Sequence, residues 1–109
     1  MDIVIDTSAL LAVIVAEVER DRIVELTSGH SLIGPGSIPW EIGNAFSAMV
    51  RQRRLGLAEA QQGLTIFHPI PLRFVRVDLN QAMAIANQTQ TYAYDAYFLD
   101  CAVRHTAPC

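Results

Sequence analysis

Met1-Asp2-Ile3-Val4-Ile5-Asp6-Thr7-Ser8-Ala9-Leu10-Leu11 opens the chain and decides its fold class. Ile3, Val4 and Ile5 are consecutive and β-branched, the pattern of a strand buried on both faces of a parallel sheet. Asp6 stops the strand. Thr7 or Ser8 is then expected to cap a helix from about Ala9 to Glu19. That helix is apolar nearly all round, which requires cover on more than one side.

The alternation continues downstream. A short amphipathic helix is expected next, with Ile23, Val24 and Leu26 inward, Arg22 and Glu25 outward, and an end at Ser28-Gly29. Ser31 to Gly34 reads as a second strand. Ser37 caps a longer helix with Pro39 in its first turn, where a missing N–H costs little. Its apolar face is Ile42, Ala45, Phe46, Met49 and Val50; Arg51, Arg53 and Arg54 suit the negative end of its dipole, and Gly56 is expected to break it. Ala58 to Phe67 reads as a helix weakened by Gly63, and Pro69 and Pro71 stiffen the connector after it. Phe74 to Val77 is the third predicted strand, followed by helices from about Leu79 to Gln88 and from Tyr94 to Arg104. Strands alternating with helices define an α/β class with a mainly parallel sheet, and such sheets bind ligands beyond the carboxyl ends of their strands.

The composition agrees with one folded domain over residues 1–109. With 51% hydrophobic and 17% charged residues, disorder and coiled coil are both poor readings. A net charge of −3 does not describe a basic nucleic-acid-coating protein, although all eight cationic side chains are Arg. Cys101 and Cys109 do not form a CxxC pair, which excludes a zinc ribbon or thioredoxin-type site; they are expected to be free thiols. The N-terminus carries Asp2 and Asp6 instead of a basic region, and the longest apolar run, Ala9 to Ala16, is too short for a bilayer. A cytoplasmic protein without membrane association is therefore expected.

Chemistry is carried by carboxylates at the ends of elements. Asp6 follows the first strand, and with Thr7 and Ser8 available as caps its carboxylate reads as functional. Glu41 lies in the first turn of its helix, and Asn44 three residues on shares its face. Asp95 sits in the aromatic-rich Tyr92-Ala93-Tyr94-Asp95-Ala96-Tyr97-Phe98. Asp100 is about 140° further round that helix, so it is read as a solvated or intersubunit charge. Asp78 with Gln81 reads as a capping box. Three carboxylates beside element termini suit a hard cation such as Mg²⁺ or Mn²⁺, whereas the three scattered His residues lack zinc-site spacing. Walker A, GxGxxG and GxSxG motifs are all absent. A receiver-type phosphoacceptor fits poorly, because no acidic pair precedes Asp6.

Three motifs in order carry a resemblance. Asp6-Thr7-Ser8-Ala9-Leu10-Leu11 after a strand, Trp40-Glu41-Ile42-Gly43-Asn44-Ala45 opening one helix and Tyr94-Asp95-Ala96-Tyr97-Phe98-Leu99 opening another resemble a PIN-domain ribonuclease. More narrowly, the chain resembles the VapC-type toxins of type II toxin–antitoxin systems. The resemblance implies a three-layer α/β/α sandwich with acidic residues gathered around Mg²⁺ or Mn²⁺. Asp6, Glu41 and Asp95 match the first three acidic positions, and Ser8 and Asn44 match supporting polar positions. It also implies an RNA substrate, hydrolysed by metal-activated water, and a cognate antitoxin protein as partner. In the family a further strand with a fourth acidic residue follows the last helix, whereas here the sequence runs to His105-Thr106-Ala107-Pro108-Cys109. The expectation is a C-terminally short form whose first strand presents an open edge, covered in a homodimer or by another chain. The alternative is a catalytically weak PIN-like module that acts by binding an antitoxin or itself.

Overall fold

A computed structural model describes residues 1–15 and 20–105. The elements run β1 (Asp2–Val4), α1 (Thr7–Ile14), α2 (Arg20–Thr27), β2 (Ser31–Pro35), α3 (Ile38–Arg51), α4 (Leu57–Phe67), β3 (Leu72–Val75), α5 (Leu79–Thr89) and α6 (Ala93–Arg104). The three strands form an all-parallel sheet in the order β1-β2-β3, with Val4 opposite Ile33 and Ile33 opposite Arg73. Each step moves one strand further in one direction. The helices of the two connections pack together, α1 against α2, α3 and α4. After β3 the path reverses: α6 packs beside α5 and back across β2 and β1. The arrangement is an α/β fold compatible with three α/β/α layers. No helix among the described residues is long and apolar enough to cross a membrane.

The core forms where β1 and β2 meet these helices. Val4, Leu10, Ile33, Ile38, Ile42, Phe46, Phe98 and Cys101 are buried in one apolar cluster. Burial at this level contributes about 1.5–3 kcal/mol per large side chain and is what holds the short strands. Cys101 is therefore a core residue, while Cys109 lies outside the described residues.

Several elements differ from the sequence expectation for identifiable reasons. Helix α1 begins at Thr7 because Asp6 itself is the cap, its Oδ1 accepting the Ala9 N–H at 2.8 Å; residues 16–19 of the expected helix lie outside the described residues. In α2 only Ile23 packs on the core, and Val24 and Leu26 are 49% and 62% exposed, not inward. Helix α2 packs chiefly against α1, which covers little more than one row of its surface. Strand β3 lies two residues earlier than Phe74–Val77, because its partner β2 ends at Pro35, opposite Val75. The break after α3 is made by Arg53, whose φ is +58°, while Gly56 caps α4 with φ −84°. Gly63 is a close-packing position: a Cβ there would lie 2.5 Å from Cζ of the buried Phe46.

Candidate active site

The acidic residues are delivered by three different pieces of chain to the end of the sheet where its strands finish. Asp6 follows β1 by two residues, and Ser37 and Glu41 follow β2 across the turn into α3. Asp95 enters from the first turn of α6, the helix that crosses back over β2 and β1. Asp6, Thr7, Ser8, Glu41 and Asp95 line one cleft of about 280 Å³, with Phe98 and Leu99 also in its wall. Sequence spacing alone assigns these carboxylates to three separate helix starts; the topology turns them towards one cleft.

The side chains are held to different degrees. Glu41 is fixed at both oxygens: Oε1 accepts from the Thr7 hydroxyl at 3.3 Å, and Oε2 from the Ser37 hydroxyl at 2.7 Å. Asp6 is pinned through Oδ1 by the helix cap, so its carboxylate is the structural cap the sequence reading had assigned to Thr7 or Ser8. One oxygen does the capping and the other faces no hydrogen-bond donor among the described residues. Asp95 is exposed and has neither a hydrogen bond nor an ion pair among the described residues.

The supporting residues also shift. Ser8 lines the acidic cleft, but Asn44 lines an adjoining cleft with Trp40 and Tyr94. The groups that orient Glu41 are Thr7 and Ser37, not Asn44. The Ser37 contact has a sequence signal, the i, i+4 spacing to Glu41. Thr7 lies 34 residues from Glu41 and has none. Ser37 donates to Glu41 in place of capping its own helix, and its αR backbone is not that of a cap.

Asp100 corrects the expectation of a solvated or intersubunit charge. It is fully buried, and its Oδ2 accepts the Asp78 N–H at 3.0 Å and Arg104 Nε at 3.1 Å, while Oδ1 has no hydrogen-bond partner. Arg104 also reaches Asp78 Oδ2 at 3.0 Å, which makes one cation serve two carboxylates. Burial of a carboxylate demands such partners, and the i, i+4 spacing of Asp100 and Arg104 is the signal that was available. Asp78 caps α5 by accepting the Gln81 N–H, but the capping box expected with Gln81 is not closed, because the Asp78 N–H goes to Asp100 instead. The bond from the Gln81 N–H, with the adjacent Arg104 guanidinium, holds the Asp78 carboxyl below the ordinary value against a smaller opposing effect of desolvation.

The carboxylates differ in their pairing; Asp21, Glu25 and Glu59 are exposed and lie outside the cleft. Asp2, Asp78 and Asp100 are neutralised by Arg73 or Arg104. Asp6, Glu41 and Asp95 have no cationic partner among the described residues. A larger hollow of about 610 Å³ lies beside Arg76, Asp78, Asn80 and Arg104, but its carboxylate, Asp78, is already paired. Asp6, Glu41 and Asp95 offer hard oxygen donors of the kind Mg²⁺ and Mn²⁺ prefer, and a divalent cation would relieve their mutual repulsion. Among the described residues no three His, Cys, Asp or Glu groups form a ready-made coordination cluster. The site is therefore a carboxylate-lined cleft, open on one side, whose donor chemistry suits the cation. Compared with known proteins, the chain matches no family model and no curated relative.

Proposed function

We propose that the chain is a PIN-like, metal-dependent endoribonuclease of the VapC toxin type, acting in the cytoplasm on RNA phosphodiesters. One observation carries the reading: Asp6, Glu41 and Asp95 converge on one cleft with no cationic partner among the described residues, whereas the buried or network carboxylates Asp78 and Asp100 are matched to Arg104. Their order along the chain and their attachment to the ends of elements agree with the resemblance of the three motifs.

Asp6, Glu41 and Asp95 would hold Mg²⁺ or Mn²⁺ through oxygen. The bound cation supplies two things, a lowered pKa for water and neutralisation of charge on the phosphorane. The chain's own groups do the rest. Thr7 and Ser37 keep both Glu41 oxygens oriented towards the cleft, saving the entropy of ordering that side chain on binding. The Ala9 N–H fixes the Asp6 rotamer. Buried Phe98 gives that wall an apolar backing, which strengthens charge interactions at the cleft.

The test is cleavage of a single-stranded RNA with Mn²⁺, together with a thermal shift. Asp6→Asn and Asp95→Asn should abolish cleavage, and Asp100→Asn should spare it in the folded fraction because that side chain belongs to the Arg104 network. Mn²⁺ at one hundred times its Kd should stabilise the native protein by about 2.7 kcal/mol, and Asp6→Asn should lose this. Cleavage that survives Asp6→Asn and Asp95→Asn together would sink the assignment.

A second reading is favoured by a different feature. The edge of β1 away from β2 is unpaired among the described residues, and Ile3, Ile5, Ile23 and Leu26 line an apolar hollow of about 310 Å³ beside it. Such an edge invites a strand from an antitoxin or a second copy. Sedimentation that finds a monomer at all concentrations, with no metal-dependent cleavage, would refute self-association and catalysis together.

A further inference from the structure

The exposed side of α3 is unlike its buried side. Ile38, Ile42 and Phe46 anchor the helix in the core. Trp40, Asn44, Ser47 and Arg51 occur at i, i+4, i+7 and i+11, one stripe on the opposite side, and all four are exposed. Trp40, the protein's sole tryptophan, is 77% exposed. Folding does not use its ring, and aromatics in that position serve contacts with something else.

We propose that this stripe is a track for single-stranded RNA, with a nucleobase stacked on Trp40 and a backbone phosphate held by Arg51. The choice of RNA rests on the nuclease reading above. Three hollows joined by shared residues carry the argument. The acidic cleft shares Thr7, Ser8 and Glu41 with the cleft that holds Trp40 and Tyr94. That second cleft shares Asn44 with a third hollow of about 440 Å³ lined by Ser47 and Arg51. The three hollows thus adjoin one another along α3. From residue 40 to residue 51 they follow roughly 16 Å of helix, at 1.5 Å per residue.

Each position has the chemistry the track needs. Trp40 immediately precedes Glu41, and Tyr94, 56% exposed and braced edge-on by Tyr97 at 5.6 Å, immediately precedes Asp95. Both rings line the cleft that Glu41 shares with the acidic site, in reach of bases flanking a phosphodiester there. Arg51 has no ion pair among the described residues, and neither do Arg53 and Arg54 in the turn that follows. The line of hollows thus runs from unpaired acid, through aromatic and amide groups, to unpaired guanidinium. Stacking on an exposed ring requires an unstacked base, which selects a single strand over a duplex.

Trp40 makes its own reporter. An unstructured oligoribonucleotide titrated into the protein in EDTA should quench its emission saturably, and a duplex of equal length should not. Trp40→Leu, followed by anisotropy of the labelled oligonucleotide, should weaken binding about tenfold with an unchanged melting temperature. Arg51→Ala should weaken binding and reduce the salt slope of log K by about 0.7. If Asp6-dependent cleavage is present while both variants bind and cleave like the native protein, the track is wrong and the nuclease reading stands. If quenching and the Arg51 effect are present but no divalent cation supports cleavage, the track stands and the nuclease reading falls. Emission that shifts with protein concentration, and not with RNA, overturns the track in favour of an interface between copies.

Discussion

Gly63→Ala separates what the sequence suggests from what the structure requires. In the middle of a helix, alanine is favoured over glycine by about 1 kcal/mol, so local propensity predicts stabilisation. Packing predicts the opposite. The new methyl would lie 2.5 Å from Cζ of Phe46, 2.9 Å from Cε1 and 3.3 Å from Cε2. Carbon atoms make favourable contact at about 3.5 Å, so the ring must retreat by about 1 Å. Phe46 is only 2% exposed and is enclosed by the core, so it retreats into other side chains. Overpacking of this kind costs about 1–3 kcal/mol, which exceeds the propensity gain and leaves a net loss of about 1 kcal/mol. Urea unfolding should record it as a lower midpoint at unchanged slope. Phe46→Leu makes room for the methyl, so the double variant should lose less than the sum of the two single losses, by about 1 kcal/mol. A higher midpoint for Gly63→Ala, or strict additivity with Phe46→Leu, would refute the close approach of α3 and α4.

Three further outcomes follow from the polar network. Arg104→Ala should destabilise by about 2 kcal/mol in chemical denaturation, because Asp100 would keep a buried charge without its cation; the partial exposure of Arg104 keeps the loss below the usual figure for buried pairs. The lowered pKa of Asp78 means that the folded state favours its charged form. The resulting stability is present above the unfolded value near pH 3.9 and is lost as pH falls through the lower folded value, so Asp78→Asn should flatten the acid limb of a stability–pH profile. Ser37→Ala should weaken Mn²⁺ binding about tenfold in calorimetric titration, since Glu41 would lose its 2.7 Å hydroxyl contact; unchanged affinity would mean that Ser37 does not orient it.

The fold class is legible in Ile3-Val4-Ile5 because a triple of β-branched residues has few stable alternatives to a buried strand. Asp6, Glu41 and Asp95 are legible because each adjoins an element terminus, and in a parallel sheet the strand ends share one side. What escapes the sequence depends on partners remote along the chain. The burial of Asp100 is set by Asp78, 22 residues away, and the position of β3 by where β2 stops. The inward-facing row of α2 is misread because periodicity gives a helix its apolar face but says nothing of how much surface is there to meet it.

The bond from the Asp78 N–H to buried Asp100 has a consequence for local motion. Residue 78 lies outside the regular elements, at the junction of β3 and α5, and an amide in such a place usually exchanges its hydrogen with solvent quickly. Here the acceptor is a buried carboxylate carried by α6 itself. Exchange at this one amide therefore requires its bond to Asp100 on α6 to open, and its rate reports the free energy of that opening. Because Asp95 rides on the first turn of the same α6, a slow Asp78 amide would mean that one wall of the acidic cleft is held rigid from the far end of the helix that carries it.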